Sequence, residues 1–144
     1  MQYKKVSGGY LLRIERGEEV LSSLLSFIKI FKIKSGFMVG LGACEKLKLG
    51  YFDAEKGDYM NKDLAGEYEM TSLTGNIAYL GTEPIVHAHI TLTDDKFKAV
   101  GGHLWSGIVS GTVEIYIMTF GSSIKRAKDE ETGLNLLKLT KVRE

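Results

Sequence analysis

Cysteine and proline are almost missing from this chain: Cys44 and Pro84 are the only ones among 144 residues. One thiol cannot close an internal disulfide, so the fold must rest on burial, and a reducing, cytoplasmic compartment fits best. No run approaches the roughly 20 apolar residues of a membrane-spanning helix. The opening MQYKKVSGGY lacks an apolar stretch of the signal-peptide kind. Neither charge is in excess: 19 basic against 18 acidic side chains leave +1, too little to draw the whole molecule to nucleic acid or a membrane. Repeats, low-complexity tracts and linkers are lacking too. Histidine is scarce, and its three copies all fall between residues 87 and 103.

What is present reads as one domain over residues 1–144, with a core from about 9 to 120 and a charged tail over 121–144. GYLLRIE (9–15) is a first strand, with Leu12 and Ile14 on one side and Leu11 and Arg13 on the other. Glu18 and Glu19 then open a helix whose Val20, Leu21, Leu24, Leu25, Phe27, Ile28 and Phe31 form one apolar stripe, stopped by Ser35-Gly36. Acids in its first turn and Lys29, Lys32 and Lys34 near its end suit the helix dipole. From Phe37 onward the pattern is strand. FMVGLGACEKLKLGYFD gives two strands around a glycine bend, Lys56-Gly57-Asp58 a hairpin tip, Tyr68–Leu80 a pair or one long strand bent at Gly75, and Gly111–Gly121 a β-branched run. In the tail, Leu134, Leu136, Leu137 and Leu139 suit a short helix or an edge strand. The expected class is α+β, a mostly antiparallel sheet with one main helix packed on it.

The chemistry concentrates in EPIVHAHITLT and the following GGHLW. His87 and His89 alternate with Val86, Ala88, Ile90 and Leu92, so both point to the polar face of a half-buried strand. His103 follows a turn around Asp94 and Asp95 and is flanked by Gly101 and Gly102, which permit close approach. Three neutral imidazoles suit a divalent ion, zinc first, and leave a fourth position open. Their affinity should decline as pH falls through about 6.5.

These residues, with Leu12-Arg13, Gly17-Glu18-Glu19, Gly40-Leu41-Gly42-Ala43, Glu69, Ser72-Leu73-Thr74-Gly75-Asn76-Ile77, Pro84, Leu104 and Gly107, resemble the PPC (plants and prokaryotes conserved) domain, in its stand-alone prokaryotic type. The resemblance implies an antiparallel sheet of about seven strands with one or two helices, assembled as a homotrimer. It also strengthens the metal reading, since prokaryotic members carry the same three histidines. Plant members add an AT-hook, to which nothing here corresponds, and a Gly-Arg-Phe-Glu-Ile-Leu partner motif. The latter aligns with Gly66-Glu67-Tyr68-Glu69-Met70-Thr71, where an acid replaces the arginine. The label "DNA-binding protein" on prokaryotic members rests on analogy with the plant proteins.

Other candidates have a structural reading beside the functional one. Glu69, Glu83 and Asp94 could move protons for a metal-bound water or be ordinary solvated acids. Thr91 shares the histidines' face. Arg13 could fork onto a carboxylate such as Glu69 or meet an anion. Cys44 reads as core, with a fourth zinc ligand or a thiolate nucleophile as the sharper alternatives. Trp105 is either a ligand or subunit surface or a buried ring. GFMVGLG lacks the lysine, serine and helix of a phosphate loop. Lys46 and Lys48, and Lys125, Arg126 and Lys128, are interleaved with acids and read as solvated faces. Tyr116, Met118 and Phe120 leave an apolar face that self-association would cover. The leading expectation is a zinc-binding, homotrimeric assembly module with a possible small-molecule ligand at the metal. A metal-dependent enzyme follows, and a DNA-associated regulator comes third.

Overall fold

Alternation along Gly9–Glu15 (β2) decides which side of the sheet faces the core. Leu12 and Ile14 are buried, while Leu11 and Arg13 are exposed, as a two-residue period requires. The computed structural model, which describes residues 1–142, pairs β2 with a preceding strand, Gln2–Val6 (β1). Sequence reading leaves that strand out because its residues are nearly all exposed and carry no apolar period.

The helix runs over Val20–Ile30 (α1). Glu18 and Glu19 precede its first turn instead of lying in it, and Glu19 is the cap: its carboxylate accepts from the Leu21 and Ser22 amides at 3.0 and 2.6 Å. The helix also stops before Ser35-Gly36. Phe31 closes it, and Lys32 takes a φ of +50°, the left-handed turn more often left to glycine. Val20, Leu24, Phe27 and Ile28 are buried, each worth about 1.5–3 kcal/mol on transfer out of water.

The remaining strands are Gly36–Asp53 (β3), Asp58–Leu80 (β4), Glu83–Thr93 (β5), Ala99–Thr119 (β6), Lys125–Lys128 (β7) and Asn135–Lys138 (β8). β3 is one long strand with register shifts at Gly40–Gly42 and Glu45–Leu47, not two strands around a bend. β6 likewise joins the third histidine to the run expected to begin at Gly111. Glycines that look like breaks are places where neighbouring backbones come close. A Cβ at Gly42 would lie 2.1 Å from the Thr112 carbonyl oxygen, and one at Gly75 2.7 Å from that of His87.

The sheet follows the order β1-β2-β6-β3-β4-β7-β8, and β5 pairs with both β4 and β6. β3, β4, β5 and β6 thereby pair in a closed circuit. All these pairings are antiparallel except a single parallel bridge, Tyr79 to Lys125, which attaches β7 to β4. The class is α+β with one helix, as expected, and eight strands appear among the described residues. Leu12, Ile14, Met38, Leu73, Ile77, Ala88, Ile90, Leu92, Val113 and Ile115 join the α1 side chains in one core. The tail is not a loose end: β7 and β8 form a hairpin beside β4. No helix among the described residues is long and apolar enough to cross a membrane.

Candidate metal centre

β5 presents His87 and His89 on one face because Ala88, Ile90 and Leu92 take the other side into the core. β6 pairs with the same strand so that His103 lies directly across from His89. Gly101 and Gly102 allow this crossing: a Cβ on either would come within 2.6 and 2.8 Å of the Ile90 and Gly50 carbonyl oxygens. One ring nitrogen from each histidine lies within 4.8 Å of the other two. Nε2 of His87 and Nε2 of His89 are 3.3 Å apart, long for a hydrogen bond. Two nitrogens bound tetrahedrally at about 2.0–2.1 Å from one zinc would be separated by about 3.3–3.4 Å.

The electrostatics keep lone pairs available. Burial, then the charges of Arg126 and His89, lowers the His87 pKa below the ordinary imidazole value. Burial, then His87 and His89, pushes His103 down to about 4. The His103 ring is walled by Trp105, 4.2 Å away between centroids, and by Tyr59 at 5.4 Å. Its Nδ1 is out of water with no hydrogen-bond partner. Buried orphans of this kind in native proteins commonly mark an ion or an ordered water. The three residues therefore fit a divalent metal with nitrogen preference.

Other candidates lie elsewhere. Glu83 is paired with Lys29 at 3.0 Å. Asp94 accepts from the Lys96 and Lys98 amides in the β5–β6 turn, which holds its carboxyl below the usual range. Glu69 pairs across from Thr93, about 13 Å along the strand from His89 at 3.3 Å per residue. The exposed Thr91 faces the histidines' side, two residues from His89. Arg13 meets Glu15 at 3.6 Å in place of Glu69, because Glu15 lies two positions on along the same strand face. Cys44 is a free, fully buried thiol among core residues, its pKa pushed up to about 12 by burial. Lys46 sits against Glu45 at 3.5 Å. Lys125 donates to the Gly81 carbonyl and lies over the Tyr79 ring.

Arg126 is the residue that sequence reading misplaces. It does not belong to a solvated face: it is 9% exposed and lines, with His87 and His103, a cleft of about 480 Å³. Trp105, 38% exposed, lines the same cleft. So does the Leu134–Leu137 stretch of the tail, most of which lies in the edge strand β8 and none in a helix. Nothing local marks Arg126 as special, since the parallel bridge between β4 and β7 is what brings it here.

A family model, the Plants and Prokaryotes Conserved (PCC) domain, matches residues 1–121. Among solved structures, a plant- and prokaryote-conserved (PPC) protein from Pyrococcus horikoshii is 35% identical, with 98% of this chain and 96% of that one covered and a TM-score of 0.86. A protein from Archaeoglobus fulgidus described as a "Metal-containing Protein" is 31% identical over 96% and 99% of the two chains, TM-score 0.85. A Bacteroides thetaiotaomicron protein described as a "putative dna binding protein" is 31% identical over 95% and 96%, TM-score 0.92. Among curated proteins none matches.

Proposed function

Because this chain belongs to the Plants and Prokaryotes Conserved domain family, we propose that it is a homotrimeric metal-binding module of the cytoplasm, with zinc held by His87, His89 and His103. The observation that carries this reading is the convergence of three ring nitrogens within 4.8 Å, two of them at the spacing of tetrahedral zinc ligands. A metal-containing relative from Archaeoglobus fulgidus supports it. When bound, such an ion supplies a Lewis-acid position open to a small ligand.

The chain's own contribution is to hold the three rings. Trp105 and Tyr59 fix the His103 ring by packing. The low proton affinity of His87 and His103 leaves both neutral near pH 7. An enzyme would also need an acid or base beside the ion. Glu83 is committed to Lys29, and Asp94 to its turn. The binding-module reading therefore leads.

Trimer formation is supported by an apolar surface on the histidines' side of the sheet. Leu11, Tyr116 and Val39 register across β2, β6 and β3, and Phe37 registers with Met118. Leu11, Phe37, Val39, Leu41, Met118 and Phe120 are 39–56% exposed. Such a patch is a common mark of self-association.

Zinc titration of metal-stripped protein tests the metal reading. We expect one ion per chain, with affinity lower by about 100-fold or more in His87→Ala and His103→Ala. Equal affinity in both variants and the parent would overturn it.

A further inference from the structure

Arg126 is a buried cation with no carboxylate partner among the described residues. Its Nη1 donates to the Asn135 carbonyl at 2.7 Å and its Nη2 to Oδ1 of Asn76 at 2.5 Å. Both acceptors are neutral. Nε is buried without a hydrogen-bond partner from the described residues, and among those residues no carboxylate lies within ion-pair distance of this guanidinium. A buried charge is ordinarily paired, because removing it from water costs more than neutral acceptors return. Burial already lowers the Arg126 pKa, yet guanidinium remains protonated in proteins.

The cleft facing Arg126 has the complementary character. No aspartate or glutamate is among its lining residues, and its walls are largely apolar: Ile85, Val86, Leu136 and Leu137, with Trp105 across from them. Its volume of about 480 Å³ lies within the usual range for small-molecule sites. His87 and His103 lie at the same cleft. Nη1 and Nη2 each keep one N–H beyond the bond they make, a pair that matches the two oxygens of a carboxylate, and the walls match an apolar body.

We propose that this cleft is a binding site for a small organic carboxylate, gripped by Arg126 and resting its apolar part on Trp105 and the β8 leucines. The inference rests on the metal reading only at the histidine end; the Arg126 end stands without it. Arg126 and the β8 leucines lie beyond the residues matched by the family model, whereas His87, His103 and Trp105 lie within them.

The test uses benzoate and its uncharged counterpart benzamide, titrated into the full chain with and without zinc. Trp105, the only tryptophan, reports occupancy by fluorescence, and zinc content is measured on the same samples. We expect saturable benzoate binding with a Kd of about a millimolar or tighter, and benzamide at least about 10-fold weaker. R126Q should lose about 10-fold or more in benzoate affinity while retaining its zinc content and melting cooperatively. Should R126Q not fold, the Arg126 Nε–H resonance of the parent protein gives the answer: it shifts on adding benzoate and stays fixed with benzamide. Absent benzoate binding, equal binding of both probes, or an unchanged Kd in folded R126Q would overturn the carboxylate site, whatever the zinc content. Benzoate binding through Arg126 in protein that takes up no zinc would uphold the carboxylate site and remove the metal reading.

Discussion

His103 differs most from a free histidine. Packed by Trp105 and Tyr59 and held to about 4 by burial, it stays neutral where an unfolded chain, with an imidazole near 6.5, takes up a proton. His87 is displaced in the same direction. Between pH 6.5 and 4 the unfolded state therefore binds more protons than the folded one, and stability falls with falling pH across that window. Metal-free protein should melt at progressively lower temperature from pH 7 to pH 4, and His103→Asn should flatten that dependence. An unchanged slope in the variant would contradict the assignment. Zinc should also persist to a lower pH than the ordinary imidazole midpoint near 6.5 suggests, because two of its three proposed ligands resist protonation. The meeting of the three rings is legible in the chain, since two-residue spacing fixes a common face and flanking glycines invite close approach. Arg126 is not legible. Its neighbours Lys125 and Lys128 are exposed, and only tertiary pairing separates it from them.

At the level of elements, glycine is where sequence and structure part. Gly40, Gly42, Gly75 and Gly111 look like strand breaks yet lie within β3, β4 and β6. Periodicity identifies which runs are strands but not where two runs are continuous, because that depends on what a neighbouring strand does beside the glycine. Gly50 makes the point at the candidate site. It pairs across from His103, and a Cβ there would lie 2.4 Å from Nε1 of Trp105 and 3.0 Å from the Tyr59 ring. Gly50→Ala should push the indole off the His103 ring, shift the tryptophan emission, and cost about 1–3 kcal/mol of stability. Gly111→Ala, whose nearest new contact is an ordinary 3.7 Å, should leave the emission in place. Denaturant melts and emission spectra of the two variants check this, and equal behaviour would refute the packing role. The helix is legible because its buried stripe is periodic. Its limits differ from the expected ones because Glu19 caps from outside and Lys32 turns left-handed without glycine.

Across the whole molecule, the two sides of the sheet differ in kind. One is covered by α1, while the other carries both the exposed apolar row and the histidines. Phe37 of that row lines a groove with Thr74, Asn76, His87 and His89, so the exposed apolar row and the candidate metal centre share a border. Val39→Asp should convert the proposed trimer to monomer in analytical ultracentrifugation while leaving the helical signal intact. A parent protein that sediments as monomer at micromolar concentration would exclude the trimer. The central claim remains that three imidazoles hold one ion, and X-ray absorption at the zinc edge of the loaded protein tests it most directly. The account predicts a first shell at about 2.0–2.1 Å with the multiple-scattering pattern of three imidazoles, reduced to two in His89→Ala. An oxygen-only shell, or a spectrum unchanged by that substitution, would contradict it.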